Sequence, residues 1–407
     1  MRIVHVSPEL PYVHGGGGGR AHELLMCRRM VELGHQVLNI SPVLPAEAAH
    51  VSDLGAAGAE SWVSLRPASH LREAAEAVVR DPAVLGGAVA RPVRALEMRV
   101  FWVKLGRLLR QASEEWRPDV VIVVHGMAAA WARAFDPAIP AVLELHDLQW
   151  RWYASRAANA SGLGAALLRA EAWRYRRHVL SQLPRYAAAV TLSTDEAREL
   201  RETASLPVSV IPIGVDTSEL RPGPEPTGSP RLVFTGTLDY IPNVNGIRWF
   251  VEEVWPRILQ TCPEAELDIV GRDPVADVQA LGRRPGVNVV GPVPSVAPYF
   301  DRAHAVVVPI REGTGVRVKI VEAMTAGRAI VTTSLGWEGL PHIEPGRHLL
   351  VADAPGAFAA SAASLLSDAP LRRSLASEAR AVAERYYDWR RLGDQQEELL
   401  RAVVEGA

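Results

Sequence analysis

The sequence predicts an α/β protein made of two doubly wound, Rossmann-like domains facing a central cleft. Three observations carry that expectation. Short apolar, β-branched runs alternate with helical patterns, as parallel sheets require. The alternation pauses at "PIGVDTSELRPGPEPTGSP" (212–230), rich in Pro and Gly as a linker should be, and then restarts. The chain has 407 residues, enough for two domains of ordinary size, each with its own core. The expected domains are 1–215 and 216–387, each Rossmann-like, with a final helix at 388–407 packing back on the first.

In order along the chain, "RIVHVS" reads as a buried strand. A glycine loop, "HGGGGGR" (14–20), follows it. In "AHELLMCRRMVEL", Met26, Met30 and Leu33 recur at helical spacing, and Gly34 stops the helix. "HQVLNIS" is a second strand, and 66–117 reads as mostly helical. "VVIVV" (120–124), "AVLEL" (141–145), "AAAVTLS" and "VSVIPIG" complete the first set of strands. In the second half, "RLVFTGT" precedes a helix from about Asn243 to Gln260. The strands "AELDIVG", "VNVVG", "AHAVVVP" and "RAIVTTS" then come, with a helix over 317–326 before the last of them. Two doubly wound domains place ligands at their strand C-terminal ends.

Charge is nearly balanced, 44 basic against 46 acidic residues, which argues against a nucleic-acid binder relying on bulk charge. Two distant cysteines, Cys27 and Cys262, suggest a reducing compartment and give no Cys-based zinc spacing. The N-terminus lacks the apolar core of a signal peptide, and no run of about 18 apolar residues is present. These features predict a cytoplasmic protein.

Two glycine-bearing segments carry the candidate chemistry. In the 14–20 loop, Gly16, Gly18 and Ala21 formally satisfy the G-x-G-x-x-A dinucleotide pattern. The loop nevertheless begins well after the strand ends, and no acidic residue closes the second strand to hold a ribose. Glycines before a helix still let backbone N–H groups approach an anion. The second segment, "REGTGVRVKIVEAMTAG" (311–327), sets Arg317 and Lys319 at a helix start beside Gly313, Thr314 and Gly315. The chain holds only two lysines, Lys104 and Lys319, so a compact ammonium retained here points to a need for one. Glu322 lies three residues on, able to share a helix face with Lys319. Cations and the helix dipole act on an anion in the same direction.

"GTGVRVKIVEAMTAG" with "VTTSLGWEGL" resembles the donor-site motif of the GT-B glycosyltransferases of the retaining family four. "GGGRAHELLMCRRMVELGHQV" is similar to that family's first-domain pattern through Gly17, Gly18, His22, Gly34 and His35. "VIPIGVDTSELRP" and "FTGTLDYIPNVNGIRWF" resemble its inter-domain stretch and the start of its nucleotide domain. The resemblance implies transfer of a sugar from a nucleotide diphosphate donor, UDP- or GDP-linked, to an acceptor hydroxyl with retention and without a metal or cofactor. Gly17, Gly18, Gly313, Thr314, Gly315 and Glu322 would bind the donor, Glu322 through its ribose hydroxyls. Arg317 and Lys319 would stabilise the charge that develops on the leaving diphosphate. The family usually has two glutamates eight apart; Thr314 stands where the first would be. The usual basic residue after the glycine of the nucleotide-domain opening is Thr237 here.

On the acceptor side, "VVHGM" puts His125 after one strand and "LELHDLQW" puts His146 and Asp147 after another. An imidazole there can orient a hydroxyl, with Asp147 fixing a tautomer or accepting a proton. A structural role at a strand end is the competing reading. "WRWYASR" and "RAEAWRYRRHVL" suit a solvated helix face, an acceptor patch or a contact with the inner membrane surface. Acceptors compatible with these features are lipid-linked, glycan or small natural-product hydroxyls such as an aminocyclitol core. The alternative from another class is a nucleotide-sugar epimerase, which needs no acceptor.

Overall fold

The computed structural model describes residues 1–12, 18–43, 45–65 and 105–406. Gly16, Gly17 and Lys104, with the helical expectation over 66–104, lie outside the described residues. The chain divides into two compact units. Unit 1 is Met1–Ile211 with Gly393–Ala407, and unit 2 is Pro212–Leu392.

The strands of unit 1 are β1 (Arg2–Val6), β2 (Gln36–Val43), β3 (Glu60–Leu65), β4 (Val120–Val124), β5 (Ala141–Leu145), β6 (Ala188–Thr191) and β7 (Val208–Val210). They form one sheet in the order β3-β2-β1-β4-β5-β6-β7, every pair parallel. The order reverses direction between β1 and β4, which makes their C-terminal ends the switch point where such sheets take ligands. The uninterrupted apolar run of β4 follows from burial on both faces. Val4, Val6, Leu38, Ile40, Val121, Val123, Leu143 and Leu145 supply much of the core. Helix α1 (Gly18–Glu32) leaves the switch point.

Gly18 therefore sits in the first helical turn, not in the glycine loop, which corrects the expected helix start near Ala21. The first four N–H groups of a helix have no intrahelical acceptor, so glycines are cheaper there than in its middle. The arginine-rich segments form α2 (Gln149–Ala158) and α3 (Gly162–Gln182), with Leu163 and Trp173 exposed on the latter. No described helix is long and apolar enough to cross a membrane.

In unit 2 the strands are β8 (Arg231–Thr235), β9 (Glu266–Val270), β10 (Val287–Gly291), β11 (Ala305–Val308), β12 (Ala329–Thr332) and β13 (Leu350–Val351). The order is β10-β9-β8-β11-β12-β13, again parallel throughout. The switch point lies between β8 and β11, over a core that includes Phe234, Ile269, Val307, Val331, Trp255 and Phe358. Helix α4 (Ile241–Trp249) follows β8, and α5 (Val318–Thr325) follows β11.

Residues Pro212–Val215 go with unit 2 for a bonding reason. Val215 N–H donates to Tyr387 O (3.0 Å), and Trp389 N–H donates to Val215 O (3.1 Å). Helix α6 (Trp389–Glu405) contributes its residues from 393 onward to unit 1. Arg29 on α1 holds Asp394 at 2.7–2.9 Å, and His35 Nε2 meets Glu397 at 3.1 Å.

Candidate active site

At the switch point of unit 2, the chain leaves β11 through a loop whose Gly313 and Gly315 have φ of 95° and 85°. That left-handed backbone favours glycine, and it lets the loop turn into α5 within a few residues. Arg317 stands at the N-terminal boundary of α5 and is buried. Its Nη1 donates to Thr314 O (2.5 Å) and Gly315 O (2.7 Å), so the guanidinium braces the loop. The Thr314 hydroxyl is buried and makes no hydrogen bond to the protein. Lys319, also buried, donates from Nζ to Asn243 Oδ1 (2.7 Å) and lies 4.2 Å from the centre of the Phe234 ring. Asn243 Nδ2 in turn donates to Thr237 O (2.9 Å), tying the ammonium to the end of β8. Burial, with Arg317 nearby, lowers the Lys319 pKa to about 7 against the opposing pull of Glu322. Burial pushes the Glu322 carboxyl up, opposed by Lys319. The result is two buried cationic side chains beside a glycine loop, with the charge of Lys319 held back by burial, an arrangement that suits an incoming anion.

The switch point of unit 1 gathers imidazoles and two carboxylates. His125 follows β4 with φ 67° and ψ 136°, an unusual backbone for a non-glycine residue. Its N–H is held by Glu144 O (2.8 Å). His146 follows β5 and stacks edge-on against His125, centroids 4.5 Å apart. Glu144, inside β5, accepts from His146 Nε2 at 2.9 Å and from Gln396 Nε2 at 3.0 Å, with His22 Nε2 at 3.6 Å. Burial would raise its pKa, but His146 and His22 hold it well below the usual carboxylate range. Glu23, on α1, lies 3.5 Å from His125 Nε2 and 3.9 Å from His146 Nδ1. Burial works against charge on His125, yet the Glu23 carboxylate raises its pKa to about 9, with Asp147 adding to the field.

Residues 229–368 match the family described as glycosyl transferases group 1, and residues 16–219, about half the chain, match Glycosyltransferase Family 4. The chain is a family 4 glycosyltransferase. Sucrose-phosphate synthase from Thermosynechococcus elongatus shares its fold over 100% of both chains, with a TM-score of 0.70 at 16% identity. HepE of Anabaena, solved with UDP and glucose, gives a TM-score of 0.67 at 15% identity over 98% of this chain and 99% of that one. At these identities the likeness is one of fold, which is GT-B. An uncharacterised 44.6 kDa protein of the cps region of Klebsiella pneumoniae is 25% identical over 137 residues, 32% of this chain. That match spans only about a third (35%) of the Klebsiella protein.

In this family 4 glycosyltransferase, Gly313, Thr314, Gly315, Arg317, Lys319 and Glu322 all come together in unit 2. His125, His146 and Asp147 share one edge of unit 1, where Gly18 opens α1. Beside the expected Asp147, His146 has a carboxylate partner that was not expected: Glu144, two residues before it, accepts from His146 Nε2. Glu144 is the second-last residue of β5, and His146 and Asp147 both follow the strand's end. Sequence reasoning also missed Asn243, Glu23 and Glu144. Two of these left a signal. Glu23, Cys27 and Met30 are spaced as one buried helix stripe, and Glu144 interrupts an otherwise apolar central strand.

Proposed function

We propose that this enzyme transfers a sugar from a nucleoside diphosphate donor, UDP- or GDP-linked, to an acceptor hydroxyl with retention of configuration. Lys319 carries the reading: a buried ammonium, pinned by Asn243 beside a glycine loop at a sheet switch point, with its charge partly suppressed until an anion arrives. HepE, solved with UDP and with UDP-glucose, supports a uridine donor. The diphosphate is met by Lys319, the Arg317-braced loop and backbone N–H groups, with Thr314 Oγ1 offered to the sugar and Glu322 to the ribose. On the acceptor side, His125 orients the nucleophilic hydroxyl. The bond from the anomeric carbon to the phosphate oxygen breaks, the acceptor oxygen bonds to that carbon on the same face, and its proton passes to the leaving phosphate. The acceptor class is a lipid-linked, glycan or natural-product hydroxyl. Exposed Trp173 and Leu163 beside the α3 arginines favour an acceptor presented at the inner membrane surface, by a cytoplasmic enzyme.

A thermal-shift panel of nucleoside diphosphates and their sugars tests donor class, since a ligand that binds only the native state raises the midpoint. Anomeric proton couplings of the product then test retention; an inverted product overturns the same-face route. The diphosphate itself is expected to bind without a divalent ion, so calorimetry should give one affinity in EDTA and in magnesium. A requirement for magnesium would reassign the role of Lys319.

Replacing Glu322 with Gln removes a charged acceptor and is expected to weaken UDP binding by about 1.5–3 kcal/mol. Unchanged affinity by calorimetry would leave Glu322 without a ribose role. Proton linkage gives a further check. With its pKa near 7 in the empty site, Lys319 is recharged when the diphosphate binds. Binding therefore takes up a proton above pH 7, and affinity falls by up to about tenfold per pH unit as pH rises from there. Calorimetry in buffers of different ionisation enthalpy reads that uptake directly. Lys319→Arg should abolish it.

A further inference from the structure

We propose that Glu196 is a positioning residue for the acceptor edge of unit 1: its carboxyl serves the start of α2 instead of its own helix, and thereby fixes Asp147. That an acceptor binds beside Asp147 rests on the sugar-transfer reading, whereas the placement of Asp147 by Glu196 does not. The helix Thr194–Arg201 follows β6, and Ser193 is its N-cap, accepting from Glu196 N–H at 3.3 Å. Ser193 and Glu196 thus have the spacing of a capping box, in which the glutamate reaches back to the N–H of the cap. Glu196 does not. Its Oε1 accepts from Leu148 N–H at 3.0 Å, 48 residues away in sequence.

Leu148 is the N-cap of α2, and its apolar side chain makes no capping bond. The third residue of α2 is Arg151, a cation that cannot accept from the cap N–H as a glutamate would. Glu196 supplies that acceptor from another helix. One turn along, Glu199 accepts from the Trp150 indole N–H at 2.6 Å and pairs with Arg151 at 3.1 Å. Two carboxyls on one helix face therefore grip Leu148, Trp150 and Arg151. On the other side, β5 ends at Leu145, in register with Thr191 of β6. Only His146 and Asp147 lie between that ladder and Leu148, so both are set from two fixed points. Asp147 in turn belongs to the field that raises the pKa of His125.

Glu196 has a property that a static cap does not need. It is 1% exposed, and its Oε2 makes no hydrogen bond. Burial pushes its pKa up to about 7, with Asp147 and Glu199 adding, and with Leu148 N–H and Arg151 opposing. The strands β6 and β7, against which its helix packs, carry no titratable side chain. Acid and carboxylate therefore interconvert near neutral pH. A charged acceptor holds an N–H roughly twice as strongly as a neutral one. Rising pH tightens the start of α2, and Asp147 with it.

The test needs no substrate, so its outcome is independent of whether sugar transfer is the reaction. The full-length protein is labelled with 5-fluorotryptophan, and the Trp150 resonance is assigned by its loss in Trp150→Phe. In the wild type that resonance is expected to shift with pH, with a midpoint near 7. In Glu196→Gln, which keeps an acceptor but cannot ionise, it should stay flat. A flat wild type, or a titration that survives in the Gln variant, overturns the proposal. Hydrogen exchange reads the placement itself. Amides 146–152 should exchange about tenfold faster in Glu196→Ala than in the wild type, and Gln should restore most of the protection. Equal exchange in the wild type and the Ala variant overturns the proposal as well. If the Ala variant does not fold, the fluorine titrations of the wild type and the Gln variant decide the matter.

Discussion

Replacing Lys319 with alanine is expected to lower turnover by about 30- to 1000-fold, the loss of roughly 2–4 kcal/mol of transition-state stabilisation. The leaving diphosphate gains negative charge as the glycosidic bond breaks, and a desolvated ammonium meets that charge at a fixed place. Asn243 supplies the fixing: with one N–H given to Oδ1, the ammonium is oriented before the substrate arrives. The Lys319 ammonium also lies 4.2 Å over the Phe234 ring, and the side chain is buried, so alanine removes that contact and opens a cavity as well. Lys319→Met keeps most of the volume while deleting the charge, and it should lose nearly as much turnover. Wild-type turnover in a folded Met variant would sink the electrostatic role. Arg317→Ala is expected to act differently, since its guanidinium holds the carbonyls of Thr314 and Gly315. A loosened loop should weaken substrate affinity together with rate.

The second large effect is on stability. Glu144→Ala is expected to destabilise unit 1 by about 3–5 kcal/mol, because it leaves His146, His22 and Gln396 facing an empty, buried place. Denaturant midpoints of wild type and variant measure this. A change below about 0.5 kcal/mol would show that the network contributes nothing. The pH dependence follows with a definite sign. The folded pKa of Glu144 is depressed, so its contribution is present above the ordinary carboxylate range and is lost as pH falls through the folded value. Wild type should therefore lose more stability on acidification than Glu144→Ala.

The parts of this molecule that were legible in the sequence are those with short-range causes. Parallel strands buried on both faces read as apolar runs, and the 311–327 segment betrays itself by glycines, a rare lysine and a helix start. The His–Glu cluster has long-range causes. Glu144 is bonded to Gln396, 252 residues away, and Glu23 owes its meaning to His125 and His146, which come from two other strand ends. A single acidic letter inside an apolar strand says only that a partner must exist. Asp147 drew attention because it adjoins His146, whereas Glu144, inside the strand, gave no sign that it would meet the same imidazole.

Unit 1 is discontinuous, and that orders its assembly in time. Gln396, Asp394 and Glu397 satisfy Glu144, Arg29 and His35, yet the 181 residues of unit 2 (212–392) are synthesised in between. At about 5–20 residues per second, the first sheet waits roughly 10–35 s with these groups unmatched. During that interval the nascent N-terminal region is an incomplete body, exposed to the misassembly that half-formed sheets invite. Unit 2, contiguous in sequence, has all of its own residues before unit 1 does. The later half of the chain is thus positioned to become native first.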